Sequence, residues 1–239
     1  MKRALGTLRV LLAGLYTVVV AIITILSHPF DHRRGRIYHA IGRFWGRGVL
    51  RICGLPLTIR GLEGIERGRT YVYVSNHASL FDIPAVLAGC PGNVRIVYKK
   101  ELEKIPIFGW CLKWGAYIAI DRSNRTDAMR SVEEAAQKIR EGDSVLLFAE
   151  GTRTADGNLQ PFKRGAFNLA VRSGVPVVPL TINGTFTVLP KGSFAVRSGE
   201  VELVLGSPIT VNPDGGKEEE LRVMEAVHAA LADDYRPQA

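Results

Sequence analysis

A histidine and an aspartate, whose side chains are suited to proton transfer, lie five positions apart. They are His77 and Asp82, just after an apolar run that ends at Ser75. Histidine is the side chain best placed to move a proton near neutral pH. A neighbouring carboxylate can hold the imidazole in one tautomer and stabilise the cation that forms. Because this spacing arises often by chance, the pair alone does not distinguish such chemistry from a structural hydrogen bond.

The chain around this pair must bring the two side chains together. On a continuous helix, positions five apart point in directions about 140° apart, so the pair would not meet. Ser79 and Asp82, however, have the spacing of a capping box, with Ser79 as the N-cap and Asp82 at the third helical position. The sequence therefore predicts that His77 lies in a loop before a helix over 80–88, with its ring close to the Asp82 carboxylate.

A second polar cluster, Glu150, Gly151, Thr152 and Arg153, follows a predicted buried strand over 144–149. Loops at the carboxyl ends of such strands are common ligand sites in α/β sheets. Gly151 allows close approach of the backbone to a ligand, and an arginine can hold a phosphate through two hydrogen bonds. An ordinary turn is the alternative interpretation.

A third cluster, Lys99 and Lys100, stands at the end of a predicted strand and precedes an apolar segment, residues 105–114. Lysines beside an apolar segment suit a substrate with an anionic head and an acyl tail. A solvated lysine pair next to a core-packing segment is the alternative.

Composition sets the class of protein. At 239 residues and 46% hydrophobic, the chain can form one large domain, or one with a short appendage. A net charge of +8 suits nucleic acid, anionic lipid or phosphorylated substrates. The three cysteines have no zinc or redox spacing, which favours buried thiols in a reduced compartment. No cluster of metal ligands is apparent.

The N-terminal segment is more apolar than is usual for a soluble protein. Residues 10–30 contain no charged side chain other than histidine, and the apolar stretch 10–26 is at the short end for crossing a bilayer. A signal peptide is disfavoured because no small-residue cleavage pattern follows. Since basic residues flank both ends, the segment either spans the membrane or enters one leaflet and returns. These residues are Lys2, Arg3, Arg9, Arg33, Arg34 and Arg36.

The next segment, residues 37–52, has the pattern of an amphipathic helix. One predicted face carries Ile37, Tyr38, Ile41, Phe44, Trp45, Val49 and Ile52, and the other carries Arg36, Arg43, Arg47 and Arg51. This pattern favours an interfacial helix, with a surface helix packed on the core as the alternative. Nucleic-acid binding is disfavoured because the aromatic residues share the apolar face with the aliphatic ones.

The rest of the chain alternates between apolar strands and helices. Strands are predicted over 57–60, 71–75, 95–98, 116–120, 144–149, 175–182 and 201–205. Helices are predicted over 80–88, 102–114 with a break at Pro106, 127–140 with Thr126 as N-cap, 165–172 and 218–232. This order predicts an α/β fold with a mixed, mostly parallel sheet flanked by helices. We divide the chain into membrane-anchoring helices over 1–54 and an α/β domain over 55–239.

Four stretches in order resemble the four sequence blocks of the glycerolipid acyltransferases, specifically the bacterial 1-acyl-sn-glycerol-3-phosphate acyltransferases. They are residues 76–82, 100–109, 148–154 and 175–179, and the resemblance covers roughly 55–210. One departure is Thr154, where serine is usual; it keeps the hydroxyl. The N-terminal helices also resemble those of bacterial members, which implies a protein of the inner membrane with its catalytic domain on the cytoplasmic side.

The resemblance implies transfer of a fatty acyl group from acyl-CoA or acyl-carrier protein to the sn-2 hydroxyl of lysophosphatidic acid, giving phosphatidic acid, with no cofactor. His77 would be the general base and Asp82 its orienting partner. Arg153, with Lys99 or Lys100, would hold the acceptor phosphate.

In the same scheme Glu150, Gly151 and Thr152 would shape the acceptor site. Two alternatives stay open: another acceptor (glycerol 3-phosphate, another lysophospholipid or a lyso-aminolipid), or a membrane protein that binds lipid phosphate without catalysis. The sequence distinguishes neither the donor nor the oligomeric state.

Overall fold

The computed structural model describes residues 2–31, 35–115, 117–121 and 125–237, and seven strands within them form one sheet. The strands are β1 (Leu57–Arg60), β2 (Val72–Ser75), β3 (Val94–Lys99), β4 (Ile118–Ile120), β5 (Ser144–Phe148), β6 (Val177–Asn183) and β7 (Val201–Leu205). Their order is β1-β7-β6-β2-β5-β3-β4. All neighbours pair in parallel except β6 and β7, which are antiparallel. The predicted mixed, mostly parallel sheet is confirmed.

Eight α-helices accompany the sheet in the described residues. They are α1 (Lys2–Ser27), α2 (Arg36–Cys53), α3 (Asp82–Gly89), α4 (Phe108–Trp114), α5 (Arg125–Arg140), α6 (Arg164–Ser173), α7 (Thr185–Val188) and α8 (Gly216–Asp234). The central strands β2 and β6 are buried along their whole length, as expected for strands covered on both faces. One core cluster joins the sheet to α2 and α3, and the other joins it to α5, α6 and α8.

The two N-terminal helices pack on each other and on the α/β domain. The Trp45 indole donates a hydrogen bond to the Thr17 hydroxyl at 2.9 Å, which links α2 to α1. Gly46 lies so close to α3 that a Cβ there would overlap the Pro84 carbonyl oxygen. Val49, on the same side of α2, is buried in the core.

Helix α2 buries a narrower face than the apolar face predicted from its sequence. Tyr38 and Val49 are buried together with Gly42 and Gly46, whereas Phe44 is 64% exposed. The buried side agrees with the alternative of a helix packed on the core, because α3 approaches α2 closely at Gly46, and contact of the exposed side with a membrane interface stays a prediction. Among the described residues, one helical stretch, Ala4–Phe30, is long and apolar enough to cross a membrane. The structure therefore has two N-terminal helices, of which the first alone has this apolar character.

Several helices of the structure begin or end at other residues than predicted. The break predicted at Pro106 is confirmed, because a 3-10 helix, Lys100–Lys104, precedes it and α4 follows it, but the first part starts two residues earlier than predicted and Ile107 turns the chain with a φ of +63°. Helix α5 already includes Thr126, so the predicted N-cap is wrong. The single-turn helix α7 was not predicted, because one turn shows no periodicity. Position 116 and the flanking residues 33 and 34 lie outside the described residues.

Substitution of Gly46 by alanine should destabilise the protein, because the added methyl group would push α2 away from the α3 backbone. We expect the free energy of unfolding to fall by about 1–3 kcal/mol, as for other overpacked sites. Denaturant unfolding in detergent measures the change. The control is Gly14→Ala in α1, where a Cβ would have no neighbour within 4 Å and alanine is the better helix former. Equal destabilisation by both variants would contradict the packing argument.

Candidate active site

The Asp82 carboxylate organises a tight turn at the end of β2. Asp82 is fully buried, and its Oδ2 accepts hydrogen bonds from His77 Nδ1 at 2.7 Å, the Ala78 amide at 2.7 Å and the Ser79 amide at 2.9 Å. His77 precedes the helix and its ring contacts Asp82, so this geometric prediction is confirmed. The predicted N-cap is wrong, because α3 begins at Asp82 and follows Phe81, but one bond of the predicted capping box is present: the Asp82 carboxylate accepts from the Ser79 amide.

The Ser79 hydroxyl is used in hydrogen bonds that hold the backbone of this turn. Its side chain is buried, and its hydroxyl donates to the Leu189 carbonyl at 2.8 Å and accepts from the Phe81 amide at 3.3 Å. These bonds tie the turn that carries His77 to the segment after α7. A hydroxyl committed in this way is not placed as an acyl-acceptor nucleophile.

The His77 ring and backbone are held from a second side by the end of β5. The imidazole stacks on the Phe148 ring with centroids 3.9 Å apart and an interplanar angle of 17°. The His77 amide donates to Glu150 Oε1 at 2.7 Å, and the Thr154 amide donates to the His77 carbonyl at 2.9 Å. Nδ1 is engaged by Asp82, and Nε2 has no hydrogen-bond partner within the described part of the chain. With 17% of the side chain exposed, Nε2 is the nitrogen available to a substrate.

Asn76 holds the same turn against the neighbouring strand β6. Its side-chain amide donates to the Ile182 carbonyl at 2.9 Å, and its side-chain oxygen accepts from the Ile182 amide at 2.8 Å. The buried side chain thus continues the pairing of β2 with β6 by one position beyond Ser75. The sequence assigned no role to Asn76 or Phe148, although each lies at the end of a predicted strand beside a predicted site residue.

Glu150 is a buried support of the turn. It is 2% exposed, and besides the His77 amide it accepts a bond from the Gln160 amide through Oε2 at 3.2 Å. Burial raises the pKa of the Glu150 carboxyl to about 7, against an ordinary value of 4.5. This side chain therefore shapes the site by positioning His77, and it does not face an open cavity.

The remaining predicted residues surround this core. Gly151 has a φ of +69°, and a Cβ there would lie 3.0 Å from the Lys163 side chain, which packs over the loop. Thr152 is exposed and Arg153 is partly exposed in the same loop. Because the next residue, Thr154, is bonded to the His77 carbonyl, the backbone of Arg153 lies beside the turn that carries His77.

The two predicted lysines differ in their surroundings. Lys99 ends β3 at the same edge of the sheet and is exposed. The Lys100 ammonium forms an ion pair with Asp121 at 2.9 Å, and half of its side chain is exposed. In the described part of the chain Lys99 and Arg153 have no carboxylate partner, so they have more freedom to meet an anion than Lys100 has.

A family model described as "Acyltransferase" matches residues 56–183, more than half of the chain. The 1-acyl-sn-glycerol-3-phosphate acyltransferase of Cocos nucifera is 33% identical over 219 residues, which cover 91% of this chain and 70% of that protein. The chain belongs to the acyltransferase family.

Two further members of the same family extend the comparison. The chloroplastic 1-acyl-sn-glycerol-3-phosphate acyltransferase BAT2 of Brassica napus is 34% identical over 87% of this chain, which spans 62% of that relative's length. A crystal structure of the 1-acyl-sn-glycerophosphate acyltransferase PlsC from Thermotoga maritima superposes with a TM-score of 0.78 and 28% identity. That likeness covers 99% of this chain and 98% of the Thermotoga chain, so it includes both N-terminal helices.

The acyltransferase match runs from the residue before β1 to the end of β6 and includes every predicted site residue. Within it, the structure brings together the His77 turn and the 150–154 loop. Lys163, whose side chain packs over Gly151, also belongs to this surface, and the sequence did not identify it as a site residue.

Replacement of Glu150 by glutamine should remove one component of the pH dependence of stability. A carboxyl whose folded pKa is raised from 4.5 to about 7 stabilises the fold fully below the ordinary pKa, and this stabilisation is lost as the pH rises through about 7. At about 1.4 kcal/mol per pKa unit, the loss amounts to roughly 3 kcal/mol.

The measurement is the free energy of unfolding on both sides of pH 7 for the wild type and Glu150→Gln. The advantage of the wild type over the variant should shrink as the pH rises. Glu218→Gln, which alters an exposed carboxylate at the start of α8, is the control and should leave the profile unchanged. Parallel profiles for wild type and Glu150→Gln would contradict this assignment.

Proposed function

We propose that this acyltransferase moves a fatty acyl group from acyl-CoA or acyl-carrier protein to the sn-2 hydroxyl of 1-acyl-sn-glycerol 3-phosphate, giving phosphatidic acid. The observation that carries the proposal is the His77–Asp82 pair, fixed at the carboxyl end of a central strand beside an exposed arginine loop. The choice of acceptor rests on the relatives, which are named for 1-acyl-sn-glycerol 3-phosphate. The thioester is the second substrate, and the proposed reaction uses no cofactor.

The proposed chemistry is direct transfer with His77 as general base. Nε2 takes the proton of the acceptor hydroxyl as the oxygen attacks the thioester carbonyl. The tetrahedral intermediate then collapses, the carbon–sulfur bond breaks, and the leaving thiolate takes the proton back from Nε2. Asp82 holds Nδ1–H and stabilises the imidazolium in between, and Phe148 keeps the ring plane fixed.

The acceptor phosphate is assigned to Arg153 together with Lys99. Both cations lie at the carboxyl edge of the sheet, and a guanidinium suits the paired oxygens of a phosphate. The ion pair of Lys100 with Asp121 makes this lysine the weaker candidate of the two. In this arrangement Gly151 and Thr152 line the path between the phosphate and the His77 ring.

Membrane association is assigned to residues 1–54, with the α/β domain of 55–239 on the cytoplasmic side of the inner membrane. Large side chains along α1 are exposed, such as Leu11 and Leu15, each at 65%. Gly6, near the start of α1, touches Val196 of the α/β domain, and His28, which directly follows the end of α1, stacks on Trp114. These contacts favour a helix that lies along the domain at the bilayer surface, where the acyl chains of the acceptor and product already reside.

An assay of the purified protein with labelled acyl-CoA and acyl-carrier protein, each against a panel of acceptors, tests the proposal. We expect the highest kcat/KM with 1-acyl-sn-glycerol 3-phosphate. A higher value with glycerol 3-phosphate, another lysophospholipid or a lyso-aminolipid would reassign the acceptor. Phosphate-dependent lipid binding without any transfer would instead indicate a binding protein.

Substitution of His77 by alanine should lower kcat by about 10²–10⁴-fold, the usual contribution of a general base. Asp82→Asn should act in the same direction, because it removes the charge that stabilises the imidazolium. Initial rates with saturating substrates measure both effects. His228→Ala changes an exposed histidine on α8 and should keep the wild-type rate. Wild-type turnover by His77→Ala would overturn the mechanism.

Substitution of Arg153 by alanine should raise the KM for the phosphate-bearing acceptor by roughly 10–100-fold, because a charged hydrogen bond contributes about 1.5–3 kcal/mol. The variant should also lose its preference for that acceptor over the phosphate-free monoacylglycerol. Arg130→Ala, which removes a surface ion pair on α5, is the matched control. An unchanged KM and unchanged preference would rule out the clamp.

A further inference from the structure

The segment between α7 and β7 forms a closed loop that holds one aromatic side chain in solvent. The loop, residues 189–197, is closed at its base by a hydrogen bond from the Arg197 amide to the Val188 carbonyl at 2.9 Å. Near its tip, Ser193 bonds to the Pro190 carbonyl and to the backbone of Ala195. Phe194 is 81% exposed, the largest value among the exposed large hydrophobic side chains of the described residues.

This loop rests on the first turns of α1. The Val196 amide donates to the Gly6 carbonyl at 3.4 Å, and a Cβ at Gly6 would overlap the Val196 carbonyl oxygen. On α1, Leu5 and Leu8 beside this contact are each 50% exposed. The loop is therefore continuous with the apolar surface assigned above to the membrane.

The charges of the loop fit an anionic surface. Lys191 and Arg197 are exposed on either side of Phe194, and within the described residues neither has a carboxylate partner. A single exposed phenylalanine is ordinary on a soluble protein. An aromatic tip between two cations, docked on an apolar helix, has the composition of a membrane-interface anchor.

We propose that the loop 189–197 is a second bilayer contact, in which Phe194 enters the interface and Lys191 and Arg197 meet anionic headgroups. The proposal rests on the membrane association of α1 under the proposed function. It also gives the contact a role near the chemistry, because Leu189, the first residue of the loop, accepts the bond from the Ser79 hydroxyl in the catalytic turn. This hydrogen bond links the proposed bilayer contact to the turn that carries His77.

Spin labelling tests the contact directly in the full chain. Cys53 and Cys90 are buried and Cys111 is partly exposed, so a Cys111→Ala background allows one label at Phe194→Cys. A label at Leu221→Cys, an exposed position on α8, is the control. On addition of phosphatidylglycerol vesicles, the label at position 194 should become accessible to oxygen and protected from a water-soluble nickel chelate, whereas the label at 221 should stay in water.

Two outcomes overturn the proposal. One is a label at 194 that remains as accessible to the chelate as the label at 221 while the protein sediments with the vesicles. The other is a protein that does not bind the vesicles at all. Because this readout does not depend on turnover, it remains informative if the acyl-transfer assay fails.

A kinetic variant tests the role of the loop in presenting substrate. Phe194→Ser should raise the apparent KM for vesicle-borne acceptor by roughly tenfold, the equivalent of about 1.4 kcal/mol of lost burial of the ring. Turnover of a short-chain, water-soluble acceptor should stay unchanged, because Phe194 has no part in the catalytic machinery. Equal losses with both acceptors would contradict a membrane role.

Discussion

One carboxylate oxygen, Asp82 Oδ2, determines the geometry of the turn that carries His77. It accepts hydrogen bonds from the imidazole of His77 and from the amides of Ala78 and Ser79 within a single turn. Because Asp82 is also the first residue of α3, the negative charge lies at the positive end of a helix. The same atom therefore closes the turn, starts the helix and orients the histidine, so loss of its charge affects all of them together.

The sheet supplies the surroundings that this turn needs. Strand β2 lies between β5 and β6, and the carboxyl ends of parallel strands meet at one edge, where α/β proteins place their ligands. From β6, Ile182 pairs with Asn76, and from β5, Phe148 and Glu150 hold the ring and the amide of His77. The histidine is thus fixed on three sides and open on the fourth, which is the arrangement that positioning of a general base requires.

The elements whose positions could be predicted best from the sequence are those that burial alone determines. The central strands are buried and mostly apolar, so their positions followed from composition to within about two residues. The His77 and Asp82 pairing followed from residue type and spacing. The start of α3 could not be predicted in the same way, because the side chains of Ser79 and Asp82 can both accept hydrogen bonds from the free amides at the start of a helix. The choice between them depends on Leu189, which lies 110 positions away and accepts the serine hydroxyl.

Other errors have a similar origin in tertiary contact. Glycine has no side chain to mark an apolar face, so the sequence pattern could not show that Gly46 would pack against α3 while Phe44 stays exposed. The sequence placed Glu150 at the acceptor site, but only the fold shows that its carboxylate is turned inward to the His77 amide. The pairing of Lys100 with Asp121 also depends on the packing of β3 beside β4.

The tautomer of His77 is the most direct test of the central claim, since the account requires the ring to donate from Nδ1 and to keep Nε2 open. Nitrogen-15 NMR of imidazole-labelled protein at alkaline pH distinguishes the two neutral tautomers by the chemical shifts of the two nitrogens. We predict the Nδ1–H form for His77, with a bare Nε2, and loss of this preference in Asp82→Asn. A proton on Nε2 in the wild-type protein would contradict the account, because the nitrogen that faces the substrate would then be a donor and could not act as the base.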